Sequence, residues 1–234
     1  FFTLQAPQVY CAKGPFLDFI NDNVPILKDK FWPTLWCFES RAQTVFANLL
    51  RSRLWPYIKY RREILILSDG GEVALDWAEQ NCCPTSPIMI ILPGLTGASH
   101  AEYIKCLVYA AKNVGIKCVI FNNRGLGGVK LKTPRLYCAS NCEDLNEVIE
   151  HVHRLHPNMP ENKREVKRMY GAETIPLKEV KDTKNVAMIV TSRGGHIGFL
   201  EGIWPVREEQ YMGKVFAQFF TAVFTIGQDH PAFY

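Results

Sequence analysis

A chain of 234 residues, 47% hydrophobic and 21% charged, has the composition of one globular domain with a sizeable core. Its net charge of +4 is small and its basic residues are dispersed, so no nucleic-acid partner is expected. No run of about 18 uncharged apolar residues is present, which excludes a membrane-spanning helix within the sequence.

The eight cysteines contain no zinc-type CxxC pair, and this pattern favours a reducing compartment. The chain opens on Phe1 rather than methionine, as expected of a fragment or a processed end that has lost a signal or anchor.

Residues 1–55 are aromatic-rich and read as a covering segment with one helix from Ser40 through Leu50. Ile64 to Leu67, the turn Asp69-Gly70-Gly71, and the alternation of Val73, Leu75 and Trp77 predict a hairpin at the antiparallel edge of a sheet. After Pro84 and Pro87 the pattern changes. Ile88 to Leu92 is a continuous apolar run, as a strand covered on both faces requires. Tyr103, Ile104, Leu107, Val108 and Ala111 mark a helix closed by Gly115, and Cys118 to Phe121 predicts a second buried strand. A further helix begins near Ser140, whose spacing to Glu143 is that of a capping box. It carries Leu145, Val148, Ile149, Val152 and Leu155 on one face before Pro157. Strand, helix, strand, helix implies parallel pairing through right-handed crossovers, and therefore an α/β sheet.

The alternation then fails. A third buried strand is due after Pro157, but residues 158–172 read NMPENKREVKRMYGA, which suits a solvated helix or loop rather than a central strand. Order resumes with a buried strand from Val186 to Thr191, a glycine-rich turn holding His196, and a last helix. In that helix Tyr211, Val215, Phe219 and Val223 run beside Met212, Phe216, Phe220 and Phe224. This apolar stripe suits packing on a sheet, and its single basic residue, Lys214, argues against a membrane-surface helix.

Five features bear on chemistry. His196, in a turn directly after an apolar strand, is placed as α/β enzymes place a base that takes a proton from a serine; the plainer reading is a loop histidine at a helix entry. Gly94 and Leu95, after the strand at 88–92, suit backbone N–H donors to an oxyanion. Ser99 in GASHA loosely resembles a nucleophile elbow, but its spacing to Glu102 predicts a helix cap instead. Gly125 to Gly128 could suggest a dinucleotide site, yet Lys130 stands where the fingerprint needs a small residue, so no cofactor is expected. Cys138, Cys142, His151, His153 and His156 make a metal-like cluster, but His151 and His153 face different directions on a helix, and no metal is expected.

The segments LPGLTGASHAEYI, CVIFNNRGLGG, LYCASNCEDLNEVIEHVH and VTSRGGHIGFLEGIWP, with PTLWCFESRAQT and DGGEVALDWAE, resemble the AB hydrolase 4 family of the α/β-hydrolase superfamily. The resemblance covers Phe31 to His156 and Ile175 to about Thr225. It implies an α/β-hydrolase fold, a mostly parallel sheet with an antiparallel N-terminal hairpin and helices on both faces. It further implies a serine esterase or phospholipase acting on acyl esters or lipids, held at a membrane by an N-terminal helix that this sequence lacks and otherwise cytoplasmic. His196 takes the position of the catalytic base and the Leu95 N–H that of an oxyanion donor.

The departures are as specific as the match. Where the family carries an apolar strand and a GxSxGG elbow, this chain reads HPNMPENKREV, and none of its seven serines stands in GxSxG. The family's acid segment has no counterpart ahead of Ile175. The resulting expectation is an incomplete hydrolase, a single domain 1–234 with a junction at 157–174 in place of the central block. Such a chain should be poorly stable and have impaired or no activity, its rival reading being a non-catalytic lipid- or protein-binding isoform.

Overall fold

The computed structural model describes residues 4–54, 56–79, 82–83, 85–94, 97–138, 142–157, 180–181, 186–195, 198–205, 210–227 and 230–233, with the side chains of 51–54 excepted. The alternation of apolar side chains forms the hairpin as expected. Strands β1 (Gln8–Cys11), β2 (Tyr60–Ile66) and β3 (Glu72–Ala78) come first in the chain, and β2 pairs with β3 antiparallel, Ile64 opposite Ala74 and Leu65 opposite Val73. Gly70 turns the hairpin at a φ of 79°, in the left-handed region that glycine enters without penalty.

β4 (Ile88–Ile91) and β5 (Lys117–Asn122) complete a four-stranded sheet in the order β2-β3-β5-β4. β5 lies antiparallel to β3 and parallel to β4, with Ile90 opposite Val119. Strand residues alternate between faces, so Val119 and Phe121 point to one side and Cys118, Ile120 and Asn122 to the other; all are buried. On the first side Leu145, Val148 and Val152 form the apolar stripe of helix α4 (Glu143–Leu155) and pack with Leu75, Trp77, Val119 and Phe121. Helix α3 (Glu102–Asn113) also packs on β5. Helix α4 itself spans Glu143–Leu155, its first turn carrying Glu143 and Asp144 where the helix dipole favours acids.

The remaining elements are α1 (Pro15–Asn23), α2 (Ser40–Leu54), β6 (Ala187–Val190) and α5 (Tyr211–Ile226). Residues 1–55 do more than cover a sheet. β1 pairs antiparallel with β6, Val9 opposite Ile189, and α1 packs Phe19 against Ala222 and Val223 of α5. The helix α1 is absent from the sequence reading although Pro15 at its first position and Phe16, Phe19 and Ile20 at helical spacing announce it.

Contacts gather the chain into two compact units, Phe1–Pro56 with Arg164–Tyr234, and Tyr57–Lys163, where the sequence reading takes 1–234 as a single domain. The described residues form mixed sheets with helices, as an incomplete version of the fold that the resemblance implies would. Parallel pairing among the described strands is confined to β4 and β5, a smaller share than a mostly parallel sheet implies. The reason is topological. β5 already has β3 on one side and β4 on the other, so a further strand could join only at an outer edge. β6, expected as a buried strand, instead finds its ladder partner in β1 and leaves Ile189 exposed.

Candidate active site

The segment after β6 is fitted closely onto α2. Gly195 and Gly198 bridge each other, Gly195 N–H donating to the Gly198 carbonyl at 2.6 Å and Gly198 N–H to the Gly195 carbonyl at 3.1 Å. Neither could carry a side chain. A Cβ at Gly195 would collide with the Ser40 carbonyl and Thr44, and one at Gly198 would lie 2.6 Å from the Gln43 carbonyl oxygen. His196 and Ile197, between them in sequence, lie outside the described residues, as does Leu95.

Gln43 fastens this contact. Its side chain is fully buried; Nε2 donates to the carbonyls of Cys37 (2.6 Å) and Leu200 (3.2 Å), and Oε1 accepts from Leu200 N–H at 2.7 Å. Every polar atom of the amide is satisfied, so burial carries no unpaired group. Glu39 accepts from Ala42 N–H at 2.8 Å and closes the first turn of α2. The amides of Ala42 and Arg41 hold its carboxyl below the ordinary carboxylate range. Beside these residues a cavity of about 350 Å³ opens between residues 38–40 and the segment 191–195, with Phe199 on its wall. The sequence reading missed Gln43. Its signal is a polar residue on the core face of an amphipathic helix, four residues before the buried Ala47.

In the other unit the expected roles are redistributed. Gly94 N–H, one of the two oxyanion candidates, donates to the Tyr103 hydroxyl at 2.7 Å and is occupied. Ser99 does not cap α3. The N-cap is Ala101 with no side-chain cap, while the Ser99 hydroxyl is fully buried and donates to Asp76, with Asn122 at 3.1 Å. The capping reading fails because a buried carboxylate competes more strongly for the hydroxyl than an amide on the helix's own first turn. Burial works against the Asp76 charge. The Arg62 guanidinium at 2.7 Å, with Ser99 and Asn122, outweighs it and holds the carboxyl below its ordinary value.

The glycine loop is likewise structural. Gly125, Gly127 and Gly128 all have positive φ, and the Gly127 carbonyl accepts from Arg62 at 2.8 Å. Arg124 ahead of it is buried between two carboxylates, Asp69 at the hairpin turn and Asp144 on α4, each at 2.6 Å. Of the metal-like cluster, Cys138 and Cys142 are exposed, His151 meets Glu63 at 2.6 Å, and His156 lies against Trp77 with ring centroids 5.6 Å apart. Ser140 lies outside the described residues, and α4 is capped at Cys142 without a side-chain bond.

No family model matches the chain. It is 28% identical to human phospholipase ABHD3, in a match covering 95% of this chain and 86% of that protein. The chain thus resembles the α/β-hydrolase ABHD3 along most of its length. It is also 36% identical to protein abhd-3.2 of Caenorhabditis elegans over 65% of this chain and 41% of that relative, and 26% identical to mouse monoacylglycerol lipase ABHD2 over 64% and 37%. Among solved structures, an alpha-beta serine hydrolase homologue from Coxiella burnetii matches 44% of this chain and 50% of its own, at 21% identity and a TM-score of 0.37. The match to human ABHD3 extends over 355 residues, more than the 234 this chain contains, so part of that relative stands opposite no residue here.

Proposed function

We propose that this chain is a serine-hydrolase family member for acyl esters or lipids, of carboxylesterase or phospholipase type, whose own covalent chemistry is impaired or absent. The observation that carries the reading is the 355-residue match of a 234-residue chain, taken with the absence of GxSxG around any serine. The nucleophile elbow and the acid belong to the block without a counterpart.

The inherited mechanism would run in three parts. A serine attacks the ester carbonyl, His196 takes its proton as general base, and the Leu95 N–H stabilises the oxyanion. Here the first part has no residue. Ser99, the serine whose surroundings invite comparison, has its hydroxyl bound to Asp76 and no solvent access. A base and an oxyanion donor without a nucleophile retain binding and polarisation only.

The cavity of about 350 Å³ beside residues 191–195 favours a second reading, a non-catalytic lipid- or protein-binding form. A fluorophosphonate probe with intact-mass analysis, run beside a p-nitrophenyl ester assay on the wild type and His196→Ala, tests both. No adduct and no hydrolysis above the variant are expected from a folded sample. A serine adduct, or hydrolysis abolished by His196→Ala, would overturn the loss of chemistry. In the family an N-terminal helix provides membrane attachment; among the described residues no helix is long and apolar enough to cross a membrane.

A further inference from the structure

Several exposed large apolar side chains of the unit Phe1–Pro56 with Arg164–Tyr234 gather around Trp36. Residues 31–36 and 200–204 run side by side: Pro33 bridges Glu201, and Thr34 N–H donates to the Leu200 carbonyl at 3.0 Å. Trp36 joins them further, its indole N–H donating to the Ile203 carbonyl at 2.7 Å. Its ring lies 6.3 Å from Trp204 and edge-on to Phe46 of α2 at 5.4 Å. Around it stand Trp32 at 61% exposure, Leu35 at 70%, Ile203 at 67% and Trp204 at 72%. On α2, Val45 and Leu49 continue the same exposed apolar face at helical spacing. A continuous apolar surface of this kind on a folded unit marks a site of interaction rather than ordinary exposure.

Its chemistry selects the partner. Three of the chain's five tryptophans lie in it, and an indole combines a large apolar ring with a single N–H, the balance that suits the boundary between headgroups and acyl chains. The charges at its rim are asymmetric. Among the described residues Glu201 is neutralised by Lys214, whereas Glu39, bonded to backbone amides of α2, keeps its negative charge; Asp29 and Glu39 thus stand against Lys28, Lys30 and Arg41 and leave one net positive charge. Lys28 and Lys30 flank Asp29 and, like Arg41, form no ion pair among the described residues. The rim therefore presents surplus positive charge to whatever the apolar centre meets. Phe38, exposed on the outside, also lines the cavity beside residues 191–195, so the surface leads to that cavity.

We propose that this aromatic face seats the unit on a lipid surface, with Trp32, Trp36 and Trp204 at headgroup level and Lys28, Lys30 and Arg41 toward anionic headgroups. The seating needs no catalysis and does not rest on the hydrolase reading.

The test is sedimentation of the full chain with phosphatidylcholine vesicles, with and without phosphatidylserine, while tryptophan emission is followed. Binding to both is expected, tighter with phosphatidylserine and weakened by salt, with a blue shift of the emission. Leu35→Ser, Ile203→Ser and Trp204→Ser combined change only exposed side chains and should weaken binding by about tenfold or more. Tyr57→Ser with Ile66→Ser, exposed in the other unit, and His196→Ala should leave it unchanged. Circular dichroism verifies that each variant is folded. Absence of vesicle binding by the folded wild type, or equal loss in the Tyr57 and Ile66 control, would overturn the proposal. So would a wild-type oligomer that the triple variant turns into a monomer, which would assign the face to a second copy of the chain.

Discussion

Gln43 and Leu200 are joined in both directions, the Gln43 amide donating to the Leu200 carbonyl at 3.2 Å and accepting from its N–H at 2.7 Å. One side chain thereby supplies the acceptor that the Leu200 N–H would find in a sheet. Gln43→Leu keeps the volume and removes all three hydrogen bonds, taking the partner from the Leu200 N–H and the Gln43 donor from the Cys37 carbonyl, while the Leu200 carbonyl keeps the Thr34 N–H. Such groups cost roughly 1–3 kcal/mol each, and partial relaxation brings the expected loss to about 2–4 kcal/mol. Urea unfolding followed by far-UV circular dichroism measures it. A change below about 0.5 kcal/mol, the usual range for surface substitutions, would mean that Gln43 is not the fastening between α2 and the segment after β6.

Ser99→Ala removes the hydroxyl that donates to Asp76 while Arg62 and Asn122 remain on the same carboxylate. The expected destabilisation is about 1–3 kcal/mol, because the carboxylate is buried and loses one of its donors. Asp76→Asn should cost more than Ser99→Ala, since it also leaves Arg62 without its anion. The reverse order in thermal unfolding would show that the hydroxyl has a role outside this cluster.

The path from β4 through α4 was legible because each element there announces itself by local period: apolar runs for β4 and β5, stripes at three and four for α3 and α4. What was not legible depends on distant partners. Ser99 has the local spacing of a helix cap, and nothing near it in sequence signals Asp76, 23 positions earlier. The pairing of β1 with β6 joins Val9 to Ile189, a contact that no window of local sequence contains. For the site, local pattern offered His196 in a glycine turn and the Gly94 and Leu95 N–H groups as candidates, and the resemblance assigned roles to His196 and Leu95. The fitted glycines on α2 depend on the backbone of residues 40–44, which the sequence around 195 does not mention.

β4 pairs only with β5 among the described residues and keeps Ile88, Met89 and Ile90 half-buried. A short apolar strand at an open edge is a template for pairing with another chain. Concentration-dependent association is therefore expected in wild-type protein. Met89→Lys, which puts a charge on that edge, should reduce it, as read by light scattering over a concentration series. Equal scattering from both proteins would exonerate the edge.

Acid should weaken the unit Tyr57–Lys163 through Asp69. In the folded chain its carboxyl is held at about 2, first by the Arg124 guanidinium and then by Gly71 N–H, against about 3.9 in an unfolded chain. A folded value below the unfolded one means that the native state favours the ionised form. Its contribution is fully present above the unfolded value and is lost as pH falls towards the folded one, from about pH 5 down to about pH 2. Glu63 and Asp76, also lowered, act in the same direction. The urea midpoint should therefore fall across that window, and Asp69→Asn should start from a lower midpoint at neutral pH and fall less steeply. Arg124→Met, which leaves only the half-exposed Arg135 between the carboxylates of Asp69 and Asp144, should cost about 2–4 kcal/mol at neutral pH and less at low pH, where the carboxylates lose their charge. A variant whose deficit is the same at both ends of the range would place the stabilisation in Arg124's packing rather than in its charge.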